Sequence, residues 1–259
     1  MVVKKKPADD EYIPSLEKGL CVIELFSSAH PEWTLSQISR ELDLTPGSTR
    51  RILRTLEVLG YAVSNEGRFR LTSKVLGLGF AYLSSQPFSE SARPLLRELA
   101  DRLNITCTIA VLDGTDVVYV ARASSERFNH FYLYVGARFP AYATSPGKVL
   151  LAALPRNALA DRLKGLRIEA FTPNTVRTVT DLKARLNKVR EVGYSINDQE
   201  IFLGQRSISV PLTIGGKVTA ALTAASSVGL VHSNEMVSAF LPELRAAAAE
   251  IEQAASVFL

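Results

Sequence analysis

Residues 44–60, LTPGSTRRILRTLEVLG, constrain the fold more tightly than any other stretch. Thr45 can accept a hydrogen bond from a first-turn amide and so cap a helix. Pro46 suits the first helical position, where its missing N–H costs nothing. Ile52, Leu53, Leu56 and Leu59 then recur at helical spacing, and Gly60 can end the helix. The spacing predicts a helix from about Pro46 to Leu59 whose outer N-terminal face carries Gly47, Ser48, Thr49, Arg50, Arg51 and Arg54. Just before it, WTLSQISRELDL reads as a short helix with Leu35, Ile38 and Leu42 inward, opened by Thr34 or Ser36. Only Asp43 to Thr45 separate the two helices. Two short amphipathic helices joined this tightly form either a helix-turn-helix or an ordinary helical hairpin with a solvated face. In a helix-turn-helix the N-terminal end of the second helix meets base edges. Small residues let its backbone approach, and hydroxyls and arginines bind phosphate.

The residues that follow favour nucleic acid. GYAVSNEGRFRL reads as two extended runs, Tyr61–Ser64 and Arg68–Leu71, joined by a turn at Asn65-Glu66-Gly67. A hairpin directly after such a helix is the wing of a winged helix, and Arg68 and Arg70 lie on it. Between Leu44 and Val75, six basic residues stand against Glu57 and Glu66. That excess equals the net charge of the whole 259-residue chain, +4, so the remainder is close to neutral. Basicity concentrated on one candidate face is the footprint of phosphate binding.

A chain of this length is expected to hold about two domains. Cys21 and Cys107 are far apart in apolar runs and read as buried thiols in a reducing compartment. The three histidines are scattered, so neither a metal site nor a cofactor is expected. The opening residues, MVVKKKPADDE, do not read as a secretory leader, and no apolar run is long enough to span a bilayer. A cytoplasmic protein without membrane contact is the expectation.

Residues 1–11 read as a flexible tail and 12–72 as the winged helix. Residues 73–90 read as a linker helix, apolar at Leu76, Phe80 and Leu83 and ended near Pro87 and Ser89. Residues 91–259 read as one α+β domain. Its expected elements are a helix at PLLRELADRLN, a hairpin turning at Asp113-Gly114, and a strand at FYLYVG. A short helix at GKVLLAAL, a helix through TDLKARLNKVREV ended by Gly193, a hairpin turning at Gly215-Gly216 and a long C-terminal helix complete it.

With these elements in order, the chain resembles the IclR-type transcriptional regulators over nearly its whole length. The matching stretches are SLEKGLCVIELF, LSQISRELDLTPGSTRRILRTLEVLGY, GARFPAYATSPGKVLLAAL, VREVGYSINDQEIFLGQRSISVPL and GKVTAALTAA. PSLEKGL, FPAYATSPGKVLLA and QEIFLGQRSISVP resemble most the branch governing aromatic-acid and β-ketoadipate catabolism. The resemblance implies a winged helix, a linker helix and a GAF-like domain with an antiparallel sheet that binds a small organic acid. It also implies a homodimer or tetramer on an inverted-repeat duplex. Asp43, where the family often has glycine, and Asn197, where it often has an acid, depart from the pattern.

Carried over position by position, the family's pocket falls on Tyr142, Thr144, Ser145, Pro146 and Gly147, on Asn197, on Ser207, and on Thr223 and Ala225. Ser145 to Gly147 would present amides at a helix N-terminus, suited to a carboxylate. Tyr142 could cover a ring, and Asn197 can both donate and accept. Arg138 and Arg206 are possible carboxylate partners, each with a structural ion pair or a solvated surface group as its alternative. Enzyme readings fit poorly. ATSPG resembles a nucleophile elbow, but Ala143 replaces its first glycine and only His232 follows as a base. SPGK lacks the companion motifs of Ser-x-x-Lys acyl transferases, and Gly147-Lys148 lacks the rest of a phosphate loop. A ligand-gated regulator is the expectation. The alternatives are a winged-helix protein whose C-terminal domain is a hydrolase or a non-sensing oligomerisation domain.

Overall fold

A computed structural model describes residues 11–85, 92–125, 133–232 and 235–256. The chain divides into two compact units that part between Leu83 and Ser84. No helix among the described residues is long and apolar enough to cross a membrane.

The first unit holds α1 (Pro14–Glu24), β1 (Trp33–Thr34), α2 (Leu35–Glu41), α3 (Pro46–Val58), β2 (Ala62–Asn65), β3 (Arg68–Leu71) and α4 (Leu76–Ser84). Of the two candidate caps for α2, Thr34 is the one used. It forms a reciprocal capping box with Gln37, and Ser36 bonds its hydroxyl at 3.2 Å from the first turn. Trp33, within the stretch read from sequence as helix, and the cap Thr34 pair with β3 to make a three-stranded sheet. Asp43 sits at φ 51°, a left-handed turn conformation where an L side chain is strained. This is the physical reason a glycine would suit that position. Thr45 caps α3 by accepting from the Ser48 amide at 3.3 Å. Glu66 and Gly67, at φ 50° and 77°, make the two-residue wing turn. Val22, Ile38, Leu53, Leu56 and Ala62 form the buried core.

The second unit is a six-stranded antiparallel sheet with helices. Its strands are β4 (Thr106–Asp113), β5 (Asp116–Ser124), β6 (Arg138–Pro140), β7 (Ser195–Asp198), β8 (Gln205–Ile214) and β9 (Lys217–Ser227), in the order β6-β5-β4-β9-β8-β7. Its helices are α5 (Ala92–Leu103), α6 (Ser145–Ala153), α7 (Arg156–Leu163), α8 (Val179–Val192) and α9 (Leu241–Ser256). Leu133–Gly136, the described part of the expected FYLYVG strand, forms no strand, and β6 begins only at Arg138. The C-terminal helix is preceded by a π turn at Met236–Phe240, where the Leu241 amide reaches back to Met236. Pro242 removes the next donor and accounts for that irregularity.

The two faces of this sheet differ. Alternation sends Ile109, Ile208 and Val210 toward α5 and α9. It sends Ala110, Val117, Tyr119 and Ala221 toward α6 and α8, with Leu150, Leu151, Leu182 and Leu186 packed among them. Cys107 is fully buried, and burial pushes its thiol up to about 12, so it stays protonated. All but Glu11 of the expected tail, the end of the linker at Pro87 and Ser89, and Phe131 and Tyr132 lie outside the described residues.

Candidate functional site

On the winged helix, Pro46, Gly47, Arg50, Arg51 and Arg54 are exposed, and Ser48 is half-buried at the side of α3. Nothing lies within 4 Å of where a Gly47 side chain would begin, so its backbone stands open. Arg68 is exposed on the wing. Arg54 and Arg70 make loose surface pairs, to Glu57 at 3.8 Å and to Glu32 at 3.4 Å, which duplex phosphates could displace. Thr49 does not belong to this face. Its side chain is fully buried, bonded to Ser39 at 2.9 Å and to the Thr45 carbonyl at 3.2 Å. It locks α3 to α2, because the same turn that exposes Arg50 points its neighbour inward.

In the second unit the residues named for a ligand divide. Thr144, Asn197 and Ser207 line a cavity of about 30 Å³ together with Gln205. Tyr119, Leu133, Phe139, Ile201 and Phe202 wall it with apolar surface. Phe139 meets both Tyr119 and Phe202 edge-on, with ring centroids 6.1 and 5.8 Å apart. Phe202 is 53% exposed, on a turn flanked by Gln199 at φ 60° and Gly204 at φ 83°. Behind the cavity runs a row of hydroxyls. Ser145 bonds Ser207 at 2.7 Å and Ser209 at 2.8 Å, and Ser209 bonds Thr223 at 2.8 Å. The row stops at Thr108, opposite Thr223 in register, whose buried hydroxyl has no hydrogen-bond partner among the described residues.

Several expectations need correction. Two of the first-turn amides of α6, those of Gly147 and Lys148, are already taken and not free for an anion. Gly147 donates to the Thr144 hydroxyl at 3.1 Å, Lys148 donates to the Thr144 carbonyl, and Pro146 has no N–H. Pro146 and Gly147 are buried against protein, and Ala225 stands beside Ser207 in register without lining the cavity. Tyr142 turns away from the cavity. Its hydroxyl bonds the backbone N–H and carbonyl of Glu169 at 3.0 and 3.1 Å, and its ring stacks on Phe171. Arg138 is half exposed and paired with Asp113 at 2.7 Å and Asp116 at 3.5 Å. Arg206 pairs with Asp198 at 2.9 Å and bonds the Val231 carbonyl. Both arginines alternate with cavity residues, Phe139 and Ser207, so strand geometry places them on the other face.

One buried group escaped the sequence reading. The Lys148 ammonium, 2% exposed, pairs with Glu200 and donates to the Ile196 carbonyl at 3.2 Å. The other Glu200 oxygen meets Arg185 at 3.0 Å. Burial pushes the Lys148 pKa below its ordinary value, and Glu200 draws it back up. Glu200 is also tied to the cavity. Its amide donates to the Asn197 side chain at 3.1 Å, and Asn197 donates onward to the Ala143 carbonyl. The signal was there: Lys148 is the one charge in the helix SPGKVLLAA, and an ion in an apolar helix needs a buried counter-ion. Tyr119, Phe139 and Phe202 carried no such signal.

A family model for the IclR helix-turn-helix domain matches residues 15–66, and one for the bacterial transcriptional regulator IclR C-terminal domain matches residues 80–253. The chain belongs to the IclR family. It is therefore a transcriptional regulator and not an enzyme. Relatives match it over most of its length. The chain is 40% identical over 245 residues to the Pca regulon regulatory protein of Pseudomonas putida, covering 94% of this chain and 84% of that one. It is 33% identical to the p-hydroxybenzoate hydroxylase transcriptional activator of Acinetobacter baylyi, covering 93% and 92%. A crystal structure from Rhodococcus sp. RHA1, 38% identical, superposes with a TM-score of 0.86 over 96% of this chain and 100% of that one.

Proposed function

We propose that this IclR-family regulator binds an inverted-repeat duplex as a dimer and responds to a small acid, an aromatic carboxylate such as a hydroxybenzoate or the aliphatic β-ketoadipate. The observation that carries the effector reading is the aromatic-walled cavity with Thr144, Asn197, Gln205 and Ser207 converging on it. The names of the Pseudomonas and Acinetobacter relatives support the aromatic branch. With both candidate arginines turned away, neutral donors would hold the acid. At about 30 Å³ the cavity takes a water or two and no ring. Entry of a benzoate therefore requires the exposed Phe202 to swing outward on its turn.

A melting-temperature screen of hydroxybenzoates and aliphatic diacids tests this. The true effector at a hundredfold excess over its Kd adds about 2.7 kcal/mol. Asn197 braces Ala143 and Glu200, so Ser207→Val with Thr144→Val is the better probe of the site than any change at Asn197. Thr144 also caps α6, and the Ser207→Val single variant separates loss of binding from loss of the cap. A panel without any shift, or a Ser207→Val protein that responds like the parent, removes the cavity assignment.

For DNA, the carrying observation is the exposed Gly47, Arg50, Arg51 and Arg54 on α3 with Arg68 on the wing. We assign residues 12–72 to the DNA-binding domain, 73–90 to a linker and 91–259 to the effector domain. Ile13, Leu16, Leu20, Leu76 and Phe80 are large apolar side chains left exposed in the first unit, and a second copy would cover them. Each phosphate contact contributes about one unit to the salt slope. The Arg68→Ala dimer should lose about two units, one per wing, and weaken all duplexes alike. An unchanged slope, or one chain per duplex by sedimentation, contradicts the reading.

A further inference from the structure

The strand β5 is only partly covered. β6 pairs with it at Asp116–Val118, and Gly136 and Ala137 still bridge Tyr119. Beyond that, among the described residues, Val120 to Ser124 have β4 on one side and no strand on the other. Beside this edge lies a cleft of about 360 Å³, lined by Arg93, Arg97 and Arg122 with Pro94, Val120 and Ala123 between them, and with no acidic residue among the described residues of its lining. Arg93 and Arg97 are exposed, one turn apart on α5. Four other arginines of this unit have counter-ions: Arg102 meets Glu98 and Glu243, Arg138 meets two aspartates, Arg185 meets Glu200, and Arg206 meets Asp198. Arg93 and Arg97 have no carboxylate within ion-pair reach among the described residues.

We propose that this edge, with its arginines, docks an acidic, extended segment of a partner protein as an added strand. An open edge offers main-chain hydrogen bonds to any extended chain, and flanking side chains choose which. Here the choice is for negative charge, since guanidinium groups hold carboxylates through paired N–H donors. The same charge argues against a second copy of this chain, because two basic edges brought together repel. Alternate residues of the incoming strand would face Arg93 and Arg97 beside Ala121 and Ala123, and the others would point to the opposite face of the sheet.

The test uses the full-length protein and a fluorescein-labelled peptide of alternating Glu and Val, followed by anisotropy. Binding should weaken at least tenfold in the Arg93→Glu, Arg97→Glu double variant and with added salt. A Lys-Val peptide should not bind. A Glu-Val peptide methylated on alternate amide nitrogens should bind at least tenfold more weakly, because it cannot pair with the edge. That comparison needs no protein variant. The proposal is overturned if the methylated peptide binds equally well, which would indicate an anion site without strand pairing. It is equally overturned if citrate or duplex DNA at comparable charge displaces the peptide completely, or if the double variant binds like the parent.

Discussion

Replacing Lys148 with methionine should destabilise the protein by about 3–5 kcal/mol, measured as a loss of midpoint and extrapolated stability in denaturant. The substitution keeps the length of the side chain and removes only its charge and donors. Glu200 then keeps Arg185 on one oxygen and faces apolar α6 with the other, in a site where its side chain is 4% exposed. The Ile196 carbonyl loses its donor as well. A second change, Glu200→Leu, removes the stranded charge and should recover at least half of the loss, while Arg185 relaxes into solvent. A Lys148→Met protein within 1 kcal/mol of the parent, or a double variant no more stable than the single, would show that the pair contributes nothing. Asn197 receives the Glu200 amide, so the single variant should also blunt the effector's melting shift even where the fold persists.

Gly147→Ala should cost about 1–3 kcal/mol through overpacking and abolish the effector response. A Cβ at this position would fall well inside van der Waals contact of the Ala141 carbonyl oxygen and Cα, both backbone atoms. Ala141 cannot step aside freely, because its own amide is bonded to the Thr115 carbonyl at 2.9 Å. The helix α6 must lift instead, and with it go Thr144 at the cavity and Ser145 in the hydroxyl row. Thermal melting and effector titration of the same sample would check both halves. An alanine variant as stable and as responsive as the parent would refute the close packing of α6 on this turn.

The role of Gly147 shows what sequence could and could not supply. Read in sequence, the glycine sits at a helix start and suggests an amide nest for a carboxylate. Folded, it is small because another part of the backbone touches it, and Thr144 already occupies its amide. The arginines tell the same story. Arg138 and Arg206 have the right chemistry for a carboxylate and lie one residue from true cavity positions. A strand, however, sends neighbours to opposite faces, and only the sheet decides which face carries the site. Tyr119, Phe139 and Phe202 come from three separate segments and meet only because β5, β6 and the turn before β8 converge.

What the sequence by itself determined is local. The cap at Thr45, the apolar spacing of α3, a wing turn within Asn65-Glu66-Gly67 and the hairpins at Gly114 and Gly215-Gly216 depend on neighbours within a few residues. So does the gathering of arginines on α3 and the wing, since a short helix and a tight hairpin have little choice of which side to show. Even there Thr49 was misplaced, because its burial depends on Ser39 of another helix. What only the tertiary structure decided is which polar groups are consumed by the protein and which remain for a ligand. Desolvation is the reason. A hydroxyl, amide or ammonium taken out of water must find a partner, and that partner comes from wherever the fold brings one, as Lys148 finds Glu200 and Asn197 finds Ala143.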